Sequence, residues 1–76
     1  MNKIMFRISK EEVDEVEVKM YNIRAKDETF RYKIAKFGDT GDYVLIVYCK
    51  DADEAHRRGM WIRDKVFGNS KLYWVK

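Results

Sequence analysis

The stretch that decides the fold runs from residue 38 to residue 49. It reads Gly38-Asp39-Thr40-Gly41-Asp42-Tyr43-Val44-Leu45-Ile46-Val47-Tyr48-Cys49. The first part is dense in turn formers, and the second part is apolar or aromatic at every position. A turn that leads directly into an apolar run predicts the second strand of a hairpin. Because the run is apolar at odd and even positions alike, it predicts a central strand that is covered on both sides or has one exposed apolar face.

Alternation of apolar and polar residues predicts two further strands, at Lys3–Ile8 and Thr29–Phe37. Such alternation is typical of a strand with one buried face. The predicted buried set is Ile4, Phe6, Ile8, Phe30, Tyr32 and Ile34, and the opposite set is Lys3, Met5, Arg7, Arg31, Lys33 and Ala35. A fourth strand is predicted at Lys71–Lys76.

The first helix is predicted from about residue 10 to residue 25. Ser9 and Glu12 fit a capping box, in which the Ser9 hydroxyl accepts from an amide three residues on and the Glu12 carboxylate accepts from the Ser9 amide. Val13, Val16, Met20 and Ile23 follow at helical spacing. A strand is the alternative, because Val16, Val18 and Met20 also alternate and β-branched residues favour strands.

The second helix is predicted from Ala52 to about Phe67. Asp51 is the expected N-terminal cap, since an aspartate side chain accepts from the free amides of a first turn. The apolar stripe consists of Ala52, Ala55, Gly59, Ile62 and Val66. Gly68 is expected to adopt the left-handed conformation that ends the helix.

The order strand, helix, strand, strand, helix, strand in 76 residues predicts a single domain over residues 1–76. That order is typical of a ferredoxin-like β-α-β-β-α-β sandwich, an α+β fold. Two helices are expected to cover one face of a four-stranded antiparallel sheet. The other face is then open to solvent or to a partner. RNA-recognition domains share this order, but the glycine-rich aromatic motif of their third strand is absent from residues 42–48.

No residue set in the chain specifies a reaction. Cys49 and His56 are the single cysteine and the single histidine, whereas a zinc site needs about four such ligands. A nucleophilic pair of these two residues lacks an orienting third group. We therefore expect a protein that is not an enzyme and has no metal and no cofactor. With no apolar run of membrane-spanning length and no signal peptide, the sequence predicts a cytoplasmic protein without a membrane partner.

The cations are concentrated in two blocks. Residues 19–38 carry a net charge of +4 and residues 55–76 a net charge of +5, whereas residues 1–18 and 39–54 carry −2 and −4. The two basic blocks also contain tyrosines and tryptophans. Cations bind phosphates and flat rings stack on unpaired bases, so this mixture favours a nucleic-acid surface.

The leading hypothesis is therefore a small regulatory or accessory protein that binds nucleic acid, RNA or single strands rather than duplex DNA. The candidate nucleic-acid-binding residues are Arg7, Arg31, Lys33, Tyr48, Lys50, Arg57, Arg58, Trp61, Lys65, Lys71 and Tyr73. Of these, Tyr48, Lys50, Lys71 and Tyr73 are expected to join the cations of the open sheet face. Arg57, Arg58, Trp61 and Lys65 are expected on one flank of the second helix.

The alternative hypothesis is a protein-binding inhibitor or adaptor, of the small kind that phages encode. It depends on the acidic stretch Glu11–Glu17 and on the apolar residues Met60 and Trp61, because acidic patches repel phosphates but suit a basic protein. A homodimer is also expected. The terminal strand is apolar, and an exposed strand edge invites pairing with a second copy.

Overall fold

The predicted order of elements is confirmed. The computed structural model describes residues 2–76. Its elements are β1 (Asn2–Ile8), α1 (Val13–Lys26), β2 (Arg31–Lys36), β3 (Tyr43–Cys49), α2 (Ala52–Lys65) and β4 (Tyr73–Val75). The alternative of a strand after Glu12 is wrong, because residues 13–26 are helical.

The four strands form one sheet in the order β2-β3-β1-β4. β3 pairs antiparallel with both β1 and β2, and β4 pairs antiparallel with β1. β1 and β2 therefore run in the same direction on either side of β3. Both helices pack on one face, so the architecture is the predicted α+β sandwich of ferredoxin-like order. As its apolar run indicated, β3 is a central strand.

The core lies between the helices and one face of the sheet. Ile4 lies opposite Val47 and Phe6 opposite Leu45, and all four side chains are fully buried. Val16 and Met20 of α1 and Ala55, Gly59 and Ile62 of α2 are buried against this face. Directly opposed residues of an antiparallel pair point to the same side of the sheet. The register therefore assigns every strand residue either to this covered face or to the open face.

Both helix starts involve carboxylates, in different ways. At α1 the Glu12 carboxylate accepts from the Ser9 amide at 2.9 Å, as predicted. The other half of the capping box is wrong, because the Glu12 amide donates to the Ser9 carbonyl oxygen instead of to the hydroxyl. Residues 10–12 consequently form a turn and α1 begins at Val13. At α2 the predicted cap is confirmed, since the Asp51 carboxylate accepts from the Glu54 amide at 2.8 Å.

The last two elements of the chain are shorter than the sequence predicted. α2 ends at Lys65, two residues before the predicted end, and β4 contains only Tyr73–Val75. Gly68 has the expected positive φ of 60°, and Asn69 follows with a φ of 66°. Two successive left-handed residues cannot continue a right-handed helix, so the chain leaves the direction of α2 at this turn.

Candidate nucleic-acid interface

The open face of the sheet carries three rows of side chains that cross the strands. The first row contains Arg31, Tyr48, Lys3 and Lys76, from β2, β3, β1 and the residue after β4. The second row contains Lys33, Ile46, Met5 and Trp74. The third row contains Ala35, Val44 and Arg7. We use the name open face for these eleven residues. Rows two residues apart along a strand are separated by roughly 6.8 Å.

Most cations of the open face have no carboxylate partner. Within residues 2–76, no ion pair involves Lys3, Arg31, Lys33 or Lys76. In the first row, three of the four side chains are cationic, and the fourth is the tyrosine. The Lys3 ammonium lies 5.7 Å from the centroid of the Tyr48 ring. The row therefore offers an anion three cations without a carboxylate partner in residues 2–76, two of which lie on the strands that flank the tyrosine.

The second row supplies the apolar part of the open face. Trp74 is 41% exposed and lies directly opposite Met5, which in turn lies opposite Ile46. This tryptophan was not among the sequence candidates. The terminal stretch is apolar at odd and even positions alike, so its phase could not be read from the sequence. The register shows that the even-numbered residue of β4 faces outward.

Arg7 lies at a corner of the open face and is engaged by other residues. Its guanidinium binds the Asp42 carboxylate at 2.9 Å through both Nε and Nη2. The same guanidinium lies 4.8 Å from the centroid of the Phe37 ring. These contacts tie the end of β1 to the β2–β3 hairpin. Of the cations that lie on the open face, Arg7 is thus the one with a carboxylate partner within residues 2–76.

The prediction that Tyr73 and Lys71 join the open face is wrong. Tyr73 lies opposite the buried Phe6, and the two ring centroids are 5.5 Å apart on the covered side of the sheet. Lys71 precedes β4, and its ammonium binds the Glu12 carboxylate at 2.6 Å and lies 5.4 Å from the Phe67 ring. Both side chains hold the C-terminal segment against the helices.

The candidates on α2 lie on the other side of the molecule, because the helices cover the opposite face of the sheet. Arg57, Trp61 and Lys65 are exposed there, and Trp61 is 50% exposed. Arg58 is different, with only 20% of its side chain exposed. Its guanidinium contacts Asp27 at 3.6 Å and Glu54 at 3.8 Å.

Arg58 also packs against the core, since its guanidinium carbon lies 5.3 Å from the Phe30 ring centroid. Its Nη1 atom is buried and has no hydrogen-bond partner within the described chain. The side chain therefore joins α2 to the start of β2. Its position is structural, unlike those of its exposed neighbours on the helix.

Lys50 follows β3 and is exposed at the end of the sheet. It lines a shallow cavity of about 220 Å³ together with Arg31 and Tyr48 of the first row. The same cavity is bordered by Thr29, Cys49, Glu54 and Arg58. Lys50 thus lies near Arg31 and Tyr48 at the end of the sheet, and its role in binding stays a prediction.

Cys49 and His56 are not brought together in one cavity. Cys49 is buried, and burial raises the pKa of its thiol above the ordinary value, with Glu54 and Asp51 adding to the effect and Arg58 opposing it. Such a shift disfavours the thiolate that a nucleophile needs. His56 is exposed and lines a different cavity, with Arg63, Leu72, Tyr73 and Val75.

Comparisons with protein-family models, with curated proteins and with solved structures gave no match. Within residues 2–76, no helix is both long and apolar enough to cross a membrane. In the same range, no three His, Cys, Asp or Glu side chains lie together as a metal site would require.

Proposed function

We propose that the protein binds single-stranded nucleic acid, RNA or unpaired DNA, through the open face. The observation that carries the proposal is the first row, in which Arg31 and Lys3 lie on either side of Tyr48, Lys76 lies beside Lys3, and none of these cations has a carboxylate partner in residues 2–76. Phosphates bind the cations, and a base stacks on the ring. Trp74 in the next row offers a second stacking surface.

Preference for single strands follows from the shape and the charge of the two sides of the molecule. A sheet face accommodates splayed bases, whereas reading a duplex requires an element that enters a groove. The exposed surface of α2 suits a groove poorly. Arg57 has Asp53 one turn before it and Asp64 two turns after it, and these carboxylates repel the phosphates on both sides.

The proposed role is binding without catalysis, as a small regulatory or accessory protein. We place this role in the cytoplasm, because the single cysteine is a free, buried thiol and suits a reducing compartment. The homodimer stays a prediction, supported by the free edge of β4. Light scattering of the full chain tests it, and a monomeric mass would contradict it.

Matched charge reversals test the proposal. Lys3→Glu with Lys33→Glu alters the open face, and Arg57→Glu with Lys65→Glu makes the same change of charge on α2. Binding of a labelled oligouridine or oligothymidine is measured by fluorescence anisotropy. The open-face variant should lose about 100-fold in affinity, at roughly 1.5 kcal/mol for each lost charged contact, and the α2 variant should lose little.

The salt dependence gives an independent readout. Each phosphate contact on a single strand contributes about −0.7 to the slope of log affinity against log salt, so four unpaired cations predict a slope of about −3. The open-face variant should lose about half of that slope. Equal losses of affinity in the two variants, or wild-type binding no tighter than millimolar, would refute the proposal.

A further inference from the structure

A second surface lies on the outer side of the sheet and α1. β2 is the outermost strand on this side of the sheet. The Phe37 amide donates to the Asp42 carbonyl oxygen at 2.9 Å, and these residues are next to the pair Lys36–Tyr43 at the hairpin end of β2 and β3. In an antiparallel ladder the pairing alternates. The backbone N–H and C=O groups of Tyr32, Ile34 and Lys36 therefore point away from the sheet.

A groove lies beside this free edge, on the side of α1. It has a volume of about 440 Å³ and is lined by Asp14, Glu17, Val18, Tyr21 and Tyr32. Val18 is 60% exposed and Tyr21 is 65% exposed. Neither side chain belongs to the core, which α1 joins through residues on its opposite side. Val18 and Tyr21 consequently give the groove exposed apolar surface that the core does not use, whereas Tyr32 also packs against the core.

The carboxylates of the groove lack cationic partners. Within residues 2–76, neither Asp14 nor Glu17 forms an ion pair, whereas Glu12 and Glu15 of the same acidic stretch are paired with Lys71 and Lys19. Arg24 is the cation nearest along this side of α1, and it does not line the groove. An occupant with basic and apolar side chains would match both the carboxylates and the exposed rings.

We propose that the β2 edge and this groove together bind an extended segment of a protein partner. The segment adds a strand to the sheet, and the ladder hydrogen bonds of Tyr32, Ile34 and Lys36 hold its backbone. Successive side chains of a strand point to opposite faces. Those on the side of α1 are apolar or basic, to match Tyr21 and Glu17. Those on the other side are acidic or polar.

Charge argues against a second copy as the occupant. Symmetric pairing of two β2 edges sets the Asp14 and Glu17 carboxylates of one copy beside those of the other. On the open side it brings Arg31 and Lys33 beside their counterparts. Like charges that face each other across strands are destabilising. The same residues are complementary to a segment in which basic and acidic side chains alternate.

A displayed library of random octapeptides, selected against the immobilised full chain, tests the proposal. We expect enrichment of peptides that have apolar or basic residues at every second position and acidic or polar residues at the positions between them. A synthetic peptide of the selected sequence should lose at least tenfold in affinity for Asp14→Lys with Glu17→Lys. The matched control is Asp53→Lys with Asp64→Lys on α2, which should leave the affinity within about twofold. N-methylation of alternate peptide amides should abolish binding, since it removes the ladder donors.

Three results would overturn the proposal: no enrichment, enrichment at the three- and four-residue spacing of a helix, or equal losses in the two double variants. The result of this peptide-binding test can be distinguished from the result of the oligonucleotide-binding test. Asp14→Lys with Glu17→Lys removes negative charge and leaves the open face intact, so oligonucleotide affinity should be unchanged or higher. Either surface can therefore fail its test without the other.

Discussion

The open face and the outer surface of α2 contain similar residues in different surroundings. Each has several cations and an exposed tryptophan, Trp74 on the sheet and Trp61 on the helix. On the sheet, the neighbours across the strands are other cations or apolar residues. On the helix, Arg57 and Arg58 have Asp53 and Glu54 one turn before them. The comparison teaches that the number of cations in a stretch of sequence does not determine whether those cations are free to bind a ligand. The periodicity of the element decides which charges become neighbours.

The largest expected effect is a loss of single-strand affinity on removal of the aromatic rings of the open face, compared with removal of Trp61 on α2. Tyr48→Leu with Trp74→Leu keeps apolar bulk on the open face but removes both stacking rings. Affinity for a labelled single strand should fall by about 1–3 kcal/mol for each ring. Anisotropy titrations measure the loss. The control is Trp61→Leu, and a loss there as large as that on the sheet would remove the distinction between the two surfaces.

The next effect concerns the covered side of the sheet, which is closely packed where the open face is not. A Cβ atom on Gly59 would lie 2.6 Å from Cε2 and 2.8 Å from Cζ of Tyr73. Gly59→Ala should therefore lower the free energy of unfolding by about 1–3 kcal/mol through overpacking. Urea denaturation measures this cost.

The added variant Tyr73→Leu gives the matched control for that overpacking. In its background, Gly59→Ala should cost clearly less, because the ring that meets the new methyl is gone. Equal costs in both backgrounds would show that the contact with the Tyr73 ring does not cause the cost, since alanine itself is favoured over glycine inside a helix. The assignment of Tyr73 to the covered side would then lose its energetic support.

A smaller effect is expected at Arg58, the cation of α2 that is held by other residues. Arg58→Ala removes the stem that packs on Phe30 and should cost about 1 kcal/mol in unfolding free energy. Arg58→Met keeps that stem and removes the buried Nη1 that has no acceptor. It should stay within about 0.5 kcal/mol of wild type, because a partly buried charge gains little over an apolar replacement. A methionine variant as unstable as the alanine variant would instead assign the stability to the charge.

The smallest effect is a dependence on pH at Asp27, an ion-pair partner of Arg58. Hydrogen bonds from the Thr29 hydroxyl and amide, followed in size by the attraction of Arg58, lower the pKa of the Asp27 carboxyl below its ordinary value of about 4. A lowered pKa stabilises the fold above pH ~4, and the stabilisation is lost as the pH falls through the folded value. Thr29→Val should raise this pKa towards the ordinary value. Carboxyl resonances followed from neutral to acidic pH measure it, and an unchanged value in the variant would contradict the assignment.

Much of the fold was predictable because its signals are local. Alternation in β1 and β2 and the cap at Asp51 depend on residues that are neighbours in sequence. The end of α2 was not predictable in the same way, because it is set by the turn through Gly68 and Asn69 towards the sheet. The phase of β4 was also unreadable, because its apolar residues do not alternate with polar ones.

The candidate site was only partly predictable. The side on which Lys33 lies follows from the period-two alternation of β2 alone, and the register agrees with it. The side on which Tyr48 lies is known only from the register, because β3 is apolar at odd and even positions alike. Which of the candidate cations have an ion-pair partner depends instead on tertiary contacts. Arg7 with Asp42 joins residues 35 apart in the chain, and Arg58 with Asp27 joins the middle of α2 to the end of α1. No local pattern distinguishes these engaged arginines from the free cations beside them.

Mapping of the nucleic-acid-binding surface by backbone amide chemical shifts tests the central claim most directly. Isotope-labelled full chain is titrated with a short oligouridine, and the shift of every backbone amide is followed. The largest changes are predicted at Lys3, Met5, Lys33, Tyr48 and Trp74, with little change at Arg57 and Trp61. Changes concentrated on α2, or spread evenly over both sides of the molecule, would contradict the assignment of nucleic-acid binding to the open face.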